Sequence, residues 1–489
     1  MKIDSTLVRS TATKRILKTL SIFGSVQVLH ILCAVIRTKL AAIWIGPLGV
    51  GLVTIYHSTM DFMSSTTQLN LRQSAVRDLS LAKDDPVKIE QTTALVRRLA
   101  MFLGVFGFLL VIATAPVLGW IQFGDFKHTV PFLLLSVIMI FSAIAQGEFA
   151  IMQGCDRLKQ LARATLYSSV TSSLLSLPLF YFFRLNGVIP VLILFAFCNL
   201  FYSLLFSGRK LSNARRRIKE SRRTVSQIWQ RFRDDVRQGR GMLALGAYMT
   251  VSSAVTLLAS YIFIAYLNRT QSTDTVGYYQ AGYTIINSYI GLIFTSISME
   301  YFPRLSSIIR HDHRVEVIVS HEIKIILSVL APVVVAFICA KELLVHILYS
   351  HSFDTVIPYI SIAIVGTVLR AVSWSLAFVM PAKGDGRIYV ITETTSSALY
   401  LLLNIPLYNA FGFAGLGAAY VLWYGAYTAI TYLVFRRRYG LRLRKGIWLF
   451  IWTIVALGVV AFVADYFFGP WATAVLLVPA AFITSRVLK

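Results

Sequence analysis

Runs of roughly twenty apolar residues recur along the whole chain, and no soluble core could absorb them all. Of 489 residues 56% are apolar and 14% charged, with a mean hydropathy of +0.68. The expected fold is an all-α polytopic membrane protein. Apolar windows between charged or turn-rich breaks predict about fourteen transmembrane helices: 19–45, 48–70, 99–121, 129–151, 164–183, 188–206, 242–267, 276–299, 323–341, 356–380, 388–410, 413–435, 447–468 and 470–485. The first 18 residues are polar and basic, and the run after them is longer than a signal peptide, which predicts a retained first span. Cys33, Cys155, Cys198 and Cys339 are scattered, with no CxxC pair, and read as small buried hydrophobes.

The distribution of basic residues tests this plan independently. With a cytoplasmic N-terminus, 40 of the 47 Lys and Arg fall on cytoplasmic segments. Only Lys127, Arg184, Arg269 and Lys341 fall outside, and Arg37, Lys39 and Arg370 lie within spans. That bias predicts an even number of spans with both termini cytoplasmic. The formal charge of +25 then reflects topology and contact with anionic lipid heads, and not nucleic-acid binding. The segment 207–241 is a strongly basic linker, in which Ile218, Val225, Trp229, Phe232 and Val236 recur at helical intervals. It reads as an amphipathic helix on the inner membrane surface. The linker separates an N-terminal lobe, 1–206, from a C-terminal lobe, 242–435, and the last two helices occupy 436–489.

The two lobes resemble each other. VGLVTIYHSTMDFM and VGYYQAGYTIINSYI each follow an external turn; setting Gly51 on Gly277 places Asp61 on Asn287 without a gap. PLFYFFRLNGVIPVL likewise echoes IPLYNAFGFAGLGAAY. Both halves start inside, so the repeat is parallel: two pseudo-symmetric six-helix lobes around a central cavity, the usual plan of a transporter.

Ionisable residues within the spans point to the site. Arg37 precedes the Gly46-Pro47 turn by nine residues, which puts it roughly 14 Å deep in a core about 30 Å thick. At that depth an arginine costs about 2.5–3.5 kcal/mol and must face protein or a wet cavity. Two readings are compatible with the sequence: an Arg37–Asp61 staple between neighbouring helices, and a cationic patch of Arg37, Lys39 and Arg370 that binds a phosphate or pyrophosphate. Asp61, Glu148 and Glu393 are candidates for proton or sodium coupling, or for structural partners of the cations. Tyr261, Tyr266, Tyr278, Tyr279, Tyr283 and Tyr289 crowd spans seven and eight, where an interfacial belt is the ordinary role. Tyr248, Asn287, Tyr289 and Trp374 are the candidate glycan contacts. No phosphate-binding loop, catalytic triad or metal-ligand cluster appears in the sequence, so neither an enzyme, a cofactor nor a metal is expected.

At this point "IRTKLAAIWIGPLGVGLV", "MEYFPRLSSI" and "FGFAGLGAAYVLW" resemble Wzx-type oligosaccharide flippases of the multidrug/oligosaccharidyl-lipid/polysaccharide exporter superfamily. The resemblance runs from about residue 15 to 435, and the last two helices match only its fourteen-span members. It implies translocation of an undecaprenyl-pyrophosphate-linked oligosaccharide across a bacterial inner membrane by alternating access. Glycan polymerase machinery would be the protein partner. It also implies that Arg37 faces the cavity; Arg370 matches no family position, and span seven carries no charge between Met242 and Leu267. The competing functions are a lipid II flippase, a cation-coupled multidrug exporter and a membrane glycan polymerase or ligase.

Overall fold

The computed structural model describes the backbone of residues 5–82, 85–208, 240–291, 293–294, 301, 304–306, 308–444 and 446–488. Side chains are described from Cys33 onward in those ranges, except at 240–241, 243–249, 252, 289 and 487–488. The expected amphipathic helix of the 207–241 linker lies outside the described residues, as do the side chains of Tyr248 and Tyr289.

Among the described residues the fold is helical throughout, with no strand. The first two spans form one assigned helix, α1 (Ser5–Gln68), broken at Gly46, whose φ of 62° and ψ of −169° are not helical. Gly46 takes the left-handed φ that other residues avoid, and Pro47 starts the second arm at a position where its missing N–H costs nothing. The chain continues through α2 (Leu71–Leu81), α3 (Pro86–Phe123), α4 (Thr129–Leu135), α5 (Val137–Gly154), α6 (Leu158–Phe183) and α7 (Val188–Phe206). Asp85 caps α3 by accepting from the backbone N–H of Val87 and Lys88. The helix therefore begins 13 residues before its membrane span, in sequence too polar to read as part of it. Span four divides at Ser136, whose hydroxyl donates 2.6 Å to the Leu133 carbonyl, a back-bond that bends helices.

Next come α8 (Arg240–Thr270), α9 (Thr273–Tyr283), a π-helical turn (Thr284–Tyr289), α10 (Asp312–Cys339), α11 (Lys341–Leu348), α12 (Ile357–Ala377) and α13 (Val379–Ala382). Then follow α14 (Gly386–Leu433), α15 (Ile447–Phe468), α16 (Pro470–Val475) and α17 (Leu477–Leu488). Helix α14 is again two spans, folded at Gly412. Eight helical stretches among the described residues are long and apolar enough to cross a bilayer, and two of them, Leu158–Phe206 (49 residues) and Gly386–Arg438 (53 residues), are long enough to cross twice. The protein is a multi-pass membrane protein.

The two corners matched in sequence share a backbone geometry. Arg184 has φ 46° and ψ −123°; its counterpart Gly412 has φ 58° and ψ −135°. Three residues on, a Cβ on Gly187 would lie 2.6 Å from the Leu179 carbonyl oxygen, and one on Gly415 would lie 1.9 Å from that of Leu407. Each hairpin therefore requires glycine at its second arm. Pro178 and Pro406 stand at the matching place in the first arms.

The chain divides into two compact units, one of Met1–Leu257 with Ile264–Thr270, the other of Leu258–Phe263 with Gln271–Lys489. In the first unit α3 and α5 approach closely through small residues: a Cβ on Gly104 would meet that of Ala143 at 3.1 Å, and one on Gly147 would meet that of Ala100 at 2.8 Å. In the second unit α12 is buried along nearly its whole length and packs most extensively on α14.

Candidate functional site

In the second unit the π-helical turn, α12 and the second arm of α14 converge on Arg370. Its Nη1 donates to Asn287 Oδ1 at 2.8 Å and to the Tyr420 hydroxyl at 3.2 Å. The Tyr420 hydroxyl is itself 3.4 Å from the same Asn287 oxygen. The guanidinium lies over the rings of Phe294, 5.1 Å away, and Tyr424, 5.8 Å away. Among the described residues every contact of Arg370 is neutral, so dipoles and π faces hold its charge in place without cancelling it. Asn287 can serve because a π-helical turn releases its helix from regular register, a distortion common at functional sites.

A layer of aromatic residues surrounds this centre. The hydroxyls of Tyr279 and Tyr400 lie 2.7 Å apart, and Tyr279 stacks on Tyr359. Tyr279 is therefore a buried core residue, in contrast to the interfacial belt expected for its group. Trp374 sits one turn from Arg370 and shares Phe294 with it, packed against Tyr301 and Phe378. Glu393 accepts a 2.5 Å hydrogen bond from the Tyr427 hydroxyl. The structure thus joins Arg370 to Asn287 and Trp374 to their aromatic wall. Reading by charge passed over Tyr420 and Tyr424, although their four-residue spacing puts both on one helix face.

In the first unit Arg37 lies with its guanidinium 4.6 Å from the centre of the Phe195 ring. Asp61 takes His57, one turn earlier, as its partner: His57 Nδ1 is 2.8 Å from Asp61 Oδ2. Asp61 thus pairs within its own helix, where residues four apart already face each other. The matched pair in the second unit keeps this relation, with Asn287 Nδ2 donating 3.2 Å to the Tyr283 carbonyl. Lys39 is partly buried.

Glu148 is held by Arg97, whose Nε and Nη2 donate to its two oxygens at 2.8 and 2.9 Å. With its side chain only 1% exposed, this carboxylate ties α5 to α3. Sequence placed Arg97 in the cytoplasmic loop, because nothing there showed that α3 starts so early. Outside the spans, His346, His351 and Asp354 bring one ligand atom each within 4.8 Å of the others. They come from α11 and the short helix after it, a proximity that no sequence spacing revealed.

A family model described as "Polysaccharide biosynthesis protein" matches residues 51–358. The chain belongs to that family. The lipid III flippase of Escherichia coli (strain K12) is 23% identical over 407 residues, covering 82% of this chain and 94% of the relative. The lipid III flippase of Shigella flexneri matches to the same extent. Among solved structures, the lipid II flippase MurJ in an inward closed conformation superposes with a TM-score of 0.63 at 13% identity, covering 95% of this chain and 98% of that one. An inward-facing multidrug resistance MATE family transporter of the MOP superfamily gives a TM-score of 0.66 at 14% identity, covering 84% and 94%. The fold is that of these transporters.

Proposed function

We propose that the protein is a flippase that carries a polyprenyl-pyrophosphate-linked oligosaccharide repeat unit from the cytoplasmic to the outer leaflet of a bacterial inner membrane, for surface polysaccharide synthesis. The observation that carries this reading is Arg370, a cation held inside the helical bundle by Asn287, Tyr420 and two aromatic faces. A cation so placed is costly in a membrane unless an anion comes to it. A pyrophosphate is such an anion, and the guanidinium fork matches its oxygens. The surrounding Tyr and Trp rings supply flat faces and hydroxyls suited to sugar. Arg37 provides a partly buried cation in the first unit, with Lys39 two residues on.

The physical task is to move a charged diphosphate and a polar glycan through hydrocarbon that excludes them, while the polyprenyl tail stays in lipid. Binding the headgroup at Arg370, then exposing it to the other side by alternating access, accomplishes this without making or breaking a bond. The family, together with relatives named as flippases of a lipid-linked substrate, supports this reading over a drug exporter. A buried cation also repels cationic drugs.

The test is a leaflet assay in proteoliposomes carrying a polyprenyl-pyrophosphate oligosaccharide, with a glycosidase added outside. The expected result is cleavage of the inner-leaflet pool only when the protein is present. Uptake of cationic dyes with no glycan exposure would assign the protein to drug export instead.

A further inference from the structure

The first unit holds a cavity of about 310 Å³ where the first long helix ends, lined by polar residues set among apolar ones such as Leu103, Ala143 and Leu257. Its wall includes Ser64, Ser65, Gln68, Asn70, Arg72 and Gln146. Leu69 and Asn70 break the helix there with φ of 48° and 44°. Asn tolerates that conformation; Leu does not, and strain of this kind gathers at binding sites. The break starts α2 at Leu71 and places Arg72 in the cavity wall.

Arg72 is held as Arg370 is. Nη1 donates to Gln146 Oε1 at 3.1 Å, Nη2 donates to Gln153 Oε1 at 3.3 Å, and the guanidinium lies 5.6 Å from the Phe149 ring centre. No carboxylate pairs with it among the described residues. Burial works against its charge and lowers its pKa, so an arriving anion would be stabilised there. Two of its five N–H groups are used by the glutamines, which leaves three for a ligand. Gln68 Nε2 donates to Ser142 Oγ at 2.7 Å, and Ser64 Oγ makes only a long contact to the Met139 sulphur, 3.7 Å. A cation, amides and hydroxyls thus share a partly apolar space at the lower end of small-ligand sites.

We propose that this cavity is a diphosphate-binding site on the cytoplasmic side, distinct from the buried Arg370 centre. Its assignment to a lipid-borne headgroup rests on the flippase reading, whereas diphosphate recognition itself does not. The ligand is either the head of a prenyl diphosphate or free inorganic diphosphate.

The test is calorimetric titration of the full chain in detergent with farnesyl diphosphate and, separately, inorganic diphosphate. An Arg37→Gln/Arg370→Gln background keeps the deep arginines from contributing. Saturable binding that weakens about tenfold or more in Arg72→Gln, and is partly restored in Arg72→Lys, is expected from loss of charge-assisted hydrogen bonds. Ser65→Leu, which fills the cavity without changing charge, should weaken binding as well. Preference for farnesyl diphosphate identifies a lipid headgroup, and equal affinity identifies the phosphates alone. Two outcomes overturn the site: no binding of either ligand to the background protein, or undiminished binding in Arg72→Gln and Ser65→Leu proteins of unchanged elution volume and unfolding temperature. Glycan exposure by the wild-type protein without this binding in the background overturns the site and leaves the flippase reading intact; binding with no glycan exposure by the wild-type protein does the reverse.

Discussion

At the scale of single residues, the bundle contains two kinds of buried charge, and their partners tell them apart. Glu148 and Arg97 are joined by two charge-assisted hydrogen bonds, one to each carboxylate oxygen. Arg97→Gln would remove both of these hydrogen bonds from a buried carboxylate, so a loss of about 1.5–3 kcal/mol is expected in chemical unfolding of the detergent-solubilised protein. Arg97→Gln/Glu148→Gln should recover part of that loss, since the buried negative charge is then removed as well. Arg370, in contrast, is kept by neutral groups. Sequence made Arg370, Asn287 and Trp374 visible because polar or bulky residues within apolar runs stand out. It could not show Tyr420 or Tyr424 beside them, as tyrosines are frequent in such helices and their contacts depend on how α12 meets α14. Nor could it show that Asp61 would settle on His57.

At the scale of elements, the hairpin corners were legible as Gly-rich or Asn-containing breaks, and the structure shows what they share. Arg184 adopts φ 46° and ψ −123° where the matched corner has Gly412. This conformation costs a non-glycine residue on the order of 1–3 kcal/mol. Arg184→Gly should therefore raise the unfolding temperature, while Gly412→Ala should lower it. Gly415→Ala should lower it further, because its Cβ would fall 1.9 Å from the Leu407 carbonyl oxygen. Differential scanning fluorimetry of the four proteins checks that order. Helix lengths were less legible than corners. The polar starts of α3 and α10 lie outside the apolar windows, and the bend at Ser136 comes from a side-chain hydrogen bond that hydropathy does not register.

At the scale of the whole molecule, basic residues on alternate segments predicted the span plan, and the residues outside the spans fasten helix ends together. Asp385 accepts from Arg438 Nε at 2.7 Å and from the Tyr439 hydroxyl at 3.2 Å, while Lys383 meets Asp312 at 2.9 Å. The hydrogen bond from Arg438 holds the Asp385 carboxyl below the usual carboxylate range. A carboxyl whose folded pKa is depressed adds stability above its unfolded value, about 3.9, and loses it as pH falls through the folded one. Unfolding temperature should therefore drop below about pH 4, and Asp385→Asn should flatten that part of the profile.

The central claim is that Arg370 holds its charge for a diphosphate. The most direct measurement is the glycan-exposure rate in proteoliposomes for wild type, Arg370→Gln and Arg370→Lys, at matched protein content and unfolding temperature. A fall of roughly tenfold or more in Arg370→Gln, with partial recovery in Arg370→Lys, is the predicted result. An Arg370→Gln protein that exposes the glycan at the wild-type rate would contradict it and leave Arg370 as packing.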